Sequence, residues 1–308
     1  MIEELLHKRL IFVTGKGGVG KSTIAAALGS LGARRGLRVL IVEVDGKGDV
    51  GSMLGLTETS FTPQRAAENL WVMEMDTEAA LAEYLRIYVK VPFISKFPGL
   101  GKIFDFVSTA APGVREILVI GKLCYEVRQD TYDLIVVDPP ASGHVISQLG
   151  VAGDVGQLIQ LGLVKNQTEW MLEILADPER SVALLVATPE ETPIEEALDL
   201  AGRLRAETPV RLEGAVVNRR FVGPMAGVET EVVEAIRTFG DSIAGLNEVL
   251  AASDLFARIS DRHDRNLRVF VDQLGPSLRV ATVGEYFGAL ETRELVDEVA
   301  EVLEVELW

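Results

Sequence analysis

A single cysteine, Cys124, stands in a chain of 308 residues. One thiol excludes an intrachain disulfide framework and any metal site built from several cysteines of the same chain. Positive charge is also scarce: 30 lysines and arginines face 46 aspartates and glutamates, a formal charge of −16. Duplex binding needs concentrated cationic surface to displace counterions, so a general nucleic-acid binder is not expected. No apolar run is long enough to span a bilayer, since Asp154 and several glycines interrupt even Leu149 to Val164. The opening Met1-Ile2-Glu3-Glu4 lacks the basic start and apolar segment of a secretory signal, and the cytoplasm is the expected location. Internal repeats, low-complexity tracts and interdomain linkers are missing too.

What remains is apolar enough, at 48% hydrophobic residues, to bury a large core. Short β-branched runs at Arg9–Thr14, Arg38–Val44, Tyr132–Asp138, Ser181–Thr188 and Leu212–Asn218 predict buried strands, with Leu70–Met75 and Arg279–Val283 as weaker members. Helical patterns fall between them, at Ser22–Arg35, Pro193–Glu207, Glu229–Gly240 and Glu291–Leu303. The alternation predicts an α/β fold with a mostly parallel central sheet flanked by helices, and ligands beyond the carboxyl ends of its strands. The whole chain, 1–308, reads as one domain, with helical elaborations at about 76–131 and 145–178.

The first strand feeds directly into Gly15-Lys16-Gly17-Gly18-Val19-Gly20-Lys21-Ser22-Thr23, which satisfies the G-x-x-x-x-G-K-[ST] phosphate-loop pattern between a strand and a helix. The glycines let successive N–H groups converge on phosphate oxygens, and the helix start adds unpaired donors. Lys21 then reaches the β and γ phosphates, Ser22 completes a Mg²⁺ shell, and Thr23 starts the helix near the α-phosphate. The expected cofactors are ATP and Mg²⁺. In this context the fold is a three-layer phosphate-loop nucleotidase with helical inserts.

Further candidates follow from their places at strand ends. Asp138 closes a buried strand, where it faces the magnesium through water. The following Pro139, Pro140, Ala141, Ser142, Gly143 and His144 form a loop whose order depends on the terminal phosphate. His144 is either a reporter of that change or a neutral structural histidine. Asp45 ends the second predicted strand and is placed to orient water or accept its proton; Glu43 and Asp49 are the alternative acids, and a turn cap is the alternative role. Lys16 adds a second cation that an ordinary phosphate loop does not require, serving its own subunit or a facing one. Asn218, at the end of a strand, can read an adenine edge. Arg219 and Arg220 are open between phosphate or partner contact and simple solvation.

The chain resembles the arsenite-pump and tail-anchored-protein targeting ATPases, a branch of the deviant phosphate-loop ATPases. The resemblance rests on Gly15 to Thr23, on Asp138 with Gly143-His144, on Pro112-Gly113-Val114-Arg115-Glu116, on Pro189-Glu190-Glu191-Thr192-Pro193-Ile194-Glu195-Glu196, and on Val216-Val217-Asn218. It implies a homodimer, or a heterodimer with a related ATPase, that sandwiches ATP. It also implies that Lys16 reaches across the interface, that Asp45 positions the water, that Gly46, Lys47, Gly48 and Asp49 form the first switch and Asp138 to His144 the second, and that Asn218 recognises adenine. The helical excursions then carry a hydrophobic or membrane-protein client, with any membrane association made through a partner. Departures are plain. Gly46-Lys47-Gly48 stands where Pro-Ala-His is usual, and Pro139-Pro140-Ala141-Ser142 where Thr-Ala-Pro-Thr is usual. The interface cysteine pair is missing, and there is one phosphate loop where the arsenite pump has two, so arsenite export is not expected. Two other readings are a positioning ATPase like the chromosome-partitioning and division-site relatives, and a scaffold that binds ATP with little turnover.

Overall fold

The computed structural model describes residues 2–44, 48–89, 113–140, 146–147, 149–150, 162–222, 230–286 and 292–306. Its strands are β1 (Leu10–Thr14), β2 (Val39–Val44), β3 (Gln64–Ala67), β4 (Leu70–Met75), β5 (Leu134–Asp138), β6 (Ser181–Ala187), β7 (Arg211–Arg220) and β8 (Arg279–Gly284). They form one sheet in the order β3-β4-β2-β5-β1-β6-β7-β8. Every neighbouring pair is parallel except β3 with β4. The edge strand β3 is absent from the sequence reading because Gln64-Arg65-Ala66-Ala67 carries no β-branched or aromatic residue to announce it.

The central strands β1, β2, β5 and β6 are buried along their whole length, as expected for a sheet covered on both faces. Alternation then sorts their side chains into two cores. Leu10, Phe12, Leu40, Val42, Ile135 and Val137 face one layer, which also holds buried residues of α4 (Thr77–Tyr84), α5 (Val114–Gln129), α6 (Gly162–Ala176), α7 (Glu191–Glu207) and α9 (Leu246–Leu274). Ile11, Val13, Val39, Ile41, Leu134 and Val136 face the other, with α1 (Ile2–Leu6), α2 (Lys21–Arg34), α3 (Asp49–Met53) and α10 (Thr292–Glu306). This is the three-layer architecture of phosphate-loop nucleotidases.

Two differences from the sequence reading bear on the site. The first is that β7 does not stop at Asn218: it runs two residues further to Arg220, through Arg219 in a left-handed conformation at φ 59° and a register irregularity against β8. The second is the 29-residue helix α9, where the sequence reading assigned no element. Its apolar residues recur at helical spacing, but it buries only Leu250, His263, Phe270 and Leu274 and leaves Val249, Leu255, Phe256, Val269 and Val271 exposed. Helix α8 (Thr230–Arg237) and the 3₁₀ turn Gly240–Ser242 occupy the predicted 229–240 helix. The insert at 76–131 contains α4, a π-helical segment at Leu85–Val89 and α5, and the insert at 145–178 contains α6.

Candidate functional site

The site begins where β1 ends. Gly15 leaves the strand so close to β6 that a Cβ on it would lie 2.2 Å from the Val186 carbonyl oxygen, so no side chain fits there. Gly18 and Gly20 sit at φ 81° and 92°, conformations that suit glycine and turn the loop back on itself. Helix α2 then starts at Lys21 with Gly20 as its N-cap and no side chain capping it. A 14-residue helix therefore presents bare first-turn N–H groups beside the loop, an arrangement suited to an anion.

The two-residue period of the strands decides which carboxylates meet this helix. Asp138 follows Leu134 and Val136 on the α2 side of β5, and Glu43 follows Val39 and Ile41 on the same side of β2. The two are register partners across the β2–β5 pair. Asp138 is buried, and its Oδ1 has no hydrogen-bond partner among the described residues. Burial pushes its carboxyl up to about 6, while a Ser22 hydrogen bond and the Lys21 charge pull the other way. Lys21 is itself lowered by burial, with Asp138 opposing, and its Nζ donates to the Lys16 carbonyl at 3.0 Å. Loop, lysine, serine and orphan carboxylate thus converge on one place.

Lys16 makes a half-exposed ion pair within its own chain. Its Nζ lies 3.3 Å from Glu196 Oε1 of α7, inside the 189–196 segment. Asn218 is buried and donates from Nδ2 to the Val19 carbonyl at 2.9 Å. Beyond it, Arg220 pairs with Asp264 of α9 at 2.9 Å, and the Phe221 N–H donates to His263 Nδ1. Asn266 of the same helix donates to the Pro189 carbonyl. Arg220 is therefore a strut between β7 and α9 within the chain, a role that neither sequence reading of it named. Sequence reasoning missed Glu196, Asp264 and His263 as partners, because each meets its contact across the fold with no local pattern to mark it.

Not every candidate can be located. Asp45, Gly46 and Lys47, and Ala141, Ser142, Gly143 and His144, lie outside the described residues, as does Pro112. Of the two expected switch segments, Gly48 caps α3, Asp49 is exposed in its first turn, and Pro139 and Pro140 follow the end of β5. Glu43, an alternative acid, has both oxygens engaged by the Val50 and Gly51 N–H groups at 2.9 and 3.3 Å and is fully buried. Cys124 is buried in the core with its thiol pushed well up, far from nucleophilic. Among the described residues no cluster of His, Cys, Asp or Glu forms a metal site by itself, and no helix is long and apolar enough to cross a membrane.

Residues 8–171 match the family model described as anion-transporting ATPase. The ATPase BagA of Mycobacterium tuberculosis is 32% identical over 225 residues, 69% of this chain and 65% of its own length. The arsenical pump-driving ATPase of Acidiphilium multivorum is 28% identical over 246 residues, 73% of this chain and 41% of that protein. The protein of the same name from Escherichia coli is 29% identical over 207 residues, 60% and 35% respectively. The chain thus spans about 65% of the length of BagA and less than half of these two pump-driving ATPases.

Proposed function

The chain belongs to the anion-transporting ATPase family, and on that premise we propose that it binds magnesium-ATP in the Gly15–Thr23 loop and hydrolyses it. One observation carries the reading: Asp138, buried and with its Oδ1 unpartnered among the described residues, stands by the uncapped start of α2 with Lys21 and Ser22. A lone buried carboxylate oxygen is costly unless something satisfies it, and a hydrated cation beside phosphates would do so. The residues therefore fit the group. The N–H groups of the loop and of the first turn of α2 hold phosphate oxygens, and the Lys21 ammonium neutralises their charge. Ser22 and Asp138 are the residues that would hold the magnesium, which would offset charge on the phosphates. Asp45 orients the attacking water and accepts its proton. Asn218 meets the adenine edge with its carboxamide oxygen, since its nitrogen is engaged by the loop.

In the same reading the chain is one ATPase domain that works as a dimer. Lys16 completes the site of a facing subunit, and the nucleotide state governs the two switch segments. The helical elaborations contact a hydrophobic or membrane-protein client. Titration of wild type and Lys21→Ala with a fluorescent ATP analogue, with and without Mg²⁺, tests the site. Binding should require Mg²⁺ and disappear in the variant; unchanged affinity in Lys21→Ala overturns the assignment. Asp45→Asn should bind as wild type but turn over at least about tenfold more slowly. Wild type that binds without any turnover would make it a nucleotide-controlled scaffold instead.

A further inference from the structure

Helix α9 reaches the carboxyl edge of the sheet through three residues within one turn, His263, Asp264 and Asn266. Arg220 donates from Nε and Nη2 to Asp264 Oδ1 at 3.1 and 2.9 Å. The Phe221 N–H donates to His263 Nδ1 at 3.1 Å, and Asn266 donates from Nδ2 to the Pro189 carbonyl at 2.9 Å. These partners stand just beyond β6 and at the end of β7, the two strands next in order after β1, which feeds the phosphate loop. The helix is itself seated: Phe270 and Leu274 are core residues, and Arg205 of α7 donates to the Leu274 carbonyl at 3.0 Å. His263 is buried, whereas Arg220 and Asp264 are each about a third exposed.

Between these anchors and Asn218 stands Arg219 alone, at φ 59°. A left-handed backbone is costly for a residue with a Cβ, and it persists where its surroundings over-determine it. Here both sides are held. Asn218 is tied to the Val19 carbonyl by its own Nδ2, and the Arg220 carbonyl accepts from the Glu285 N–H at 3.1 Å. Neither bond fixes how the Asn218 carboxamide is turned, because a tethered nitrogen still lets the oxygen swing with the backbone below it. We propose that His263 and Asp264 are positioning residues for the nucleotide base: they hold Phe221 and Arg220, and so keep the left-handed turn that aims the Asn218 oxygen. The inference rests on the reading of Asn218 as the residue that meets adenine. Phosphate binding should depend little on this clamp, since the nitrogen keeps its bond to the loop. The choice between adenine and guanine should depend on it, because the oxygen accepts from the adenine amino group and the guanine carbonyl offers no donor in its place.

The test measures the affinities of fluorescent ATP and GTP analogues, with Mg²⁺, for wild type, Asn218→Ala, His263→Ala and Asp264→Ala. Asp264→Ala is also combined with Arg219→Gly and, separately, with Arg219→Ala. Asp264→Ala should weaken ATP binding about threefold to tenfold, as for one displaced hydrogen bond, while GTP binding stays within about twofold. The preference for adenine therefore narrows, whereas a merely structural strut would lower melting and leave the ratio unmoved. Glycine takes the left-handed turn without a brace, so Arg219→Gly should restore the preference to Asp264→Ala and Arg219→Ala should not. Restoration by both substitutions overturns the clamp. A full preference in folded His263→Ala and Asp264→Ala, with Asn218→Ala lacking it, overturns the clamp and leaves the adenine reading standing. A full preference in Asn218→Ala, or none in wild type, overturns both. If neither helix variant folds, amide exchange in wild type decides: a Phe221 amide as fast as an unbonded one overturns the clamp, and a slow one supports it.

Discussion

The carboxamide of Asn218 holds the phosphate loop from behind: its Nδ2 donates to the Val19 carbonyl at 2.9 Å, across 199 residues of sequence. The fit is close enough that a Cβ on Gly20 would stand 2.3 Å from the same nitrogen. The left-handed turn of the loop and the end of β7 are therefore set against each other, so the residue proposed to read the base also braces the loop.

Asn218→Ala should for that reason weaken binding beyond the loss of a base contact. It leaves a buried carbonyl unsatisfied, at about 1–3 kcal/mol. Thermal melting without nucleotide should fall, and affinity for ATP and for inorganic triphosphate should fall together. If triphosphate binding and melting are unchanged in the variant, the side chain does not shape the loop. Gly20→Ala should do comparable damage from the other side of the contact.

Lys16 is held by Glu196 within its own chain, with both side chains about 40% exposed. An exposed pair of this kind is worth about 0–1 kcal/mol, weak enough to be exchanged for a phosphate contact. Lys16→Ala should lower turnover or ATP-dependent dimerisation, and Glu196→Gln, which only frees the lysine, should preserve or raise both. Sedimentation with a non-hydrolysable ATP analogue reads the difference. Loss of dimerisation in Glu196→Gln would instead make the pair part of the assembled site.

Asp138 gives the nucleotide-free protein a pH dependence of definite sign. Its folded carboxyl titrates at about 6 against an ordinary value of 3.8. The folded state therefore binds the proton more tightly than the unfolded one. Stability from this group is greatest below about 4, falls as pH rises to about 6, and is flat above, a difference of about 3 kcal/mol. Asp138→Asn should flatten that part of the profile and raise the melting temperature of the nucleotide-free protein at pH 7.5. It should also impair the Mg²⁺ dependence of ATP binding. Denaturant unfolding of both proteins between pH 4 and 8 checks the sign.

Lys122 of α5 is buried between Glu83 of α4 and Glu126, each at 2.6 Å, and lies over the Phe61 ring. Removing the cation leaves two partly buried carboxylates facing each other. Lys122→Met should therefore destabilise by about 3–5 kcal/mol, and Glu83→Gln by less, since the second carboxylate still pairs the lysine. Equal melting of Lys122→Met and wild type would show that the two helices at the base of the insert do not depend on this knot.

Every described strand but β3, most helices and the phosphate loop were legible in the sequence. Their signals are contiguous: an apolar run, a glycine-rich turn and a helix start lie next to one another, and Lys21 and Ser22 are named by spacing alone. Asp138 was legible for a related reason, as the acid that closes a buried strand. Edge strand β3 was not, because it carries no β-branched or aromatic residue, and helix α9 was passed over although its apolar residues recur at helical spacing. The partners of the site residues were decided only by tertiary structure. Lys16 with Glu196, Asn218 with Val19 and Arg220 with Asp264 each depend on which strands lie side by side and in what register. Even Glu43, whose place at the end of β2 is legible, finds its two donors, the Val50 and Gly51 N–H groups, only where α3 packs against that strand end. Local pattern fixes which residues can do the chemistry; the sheet order and the close approaches it allows decide which of them meet.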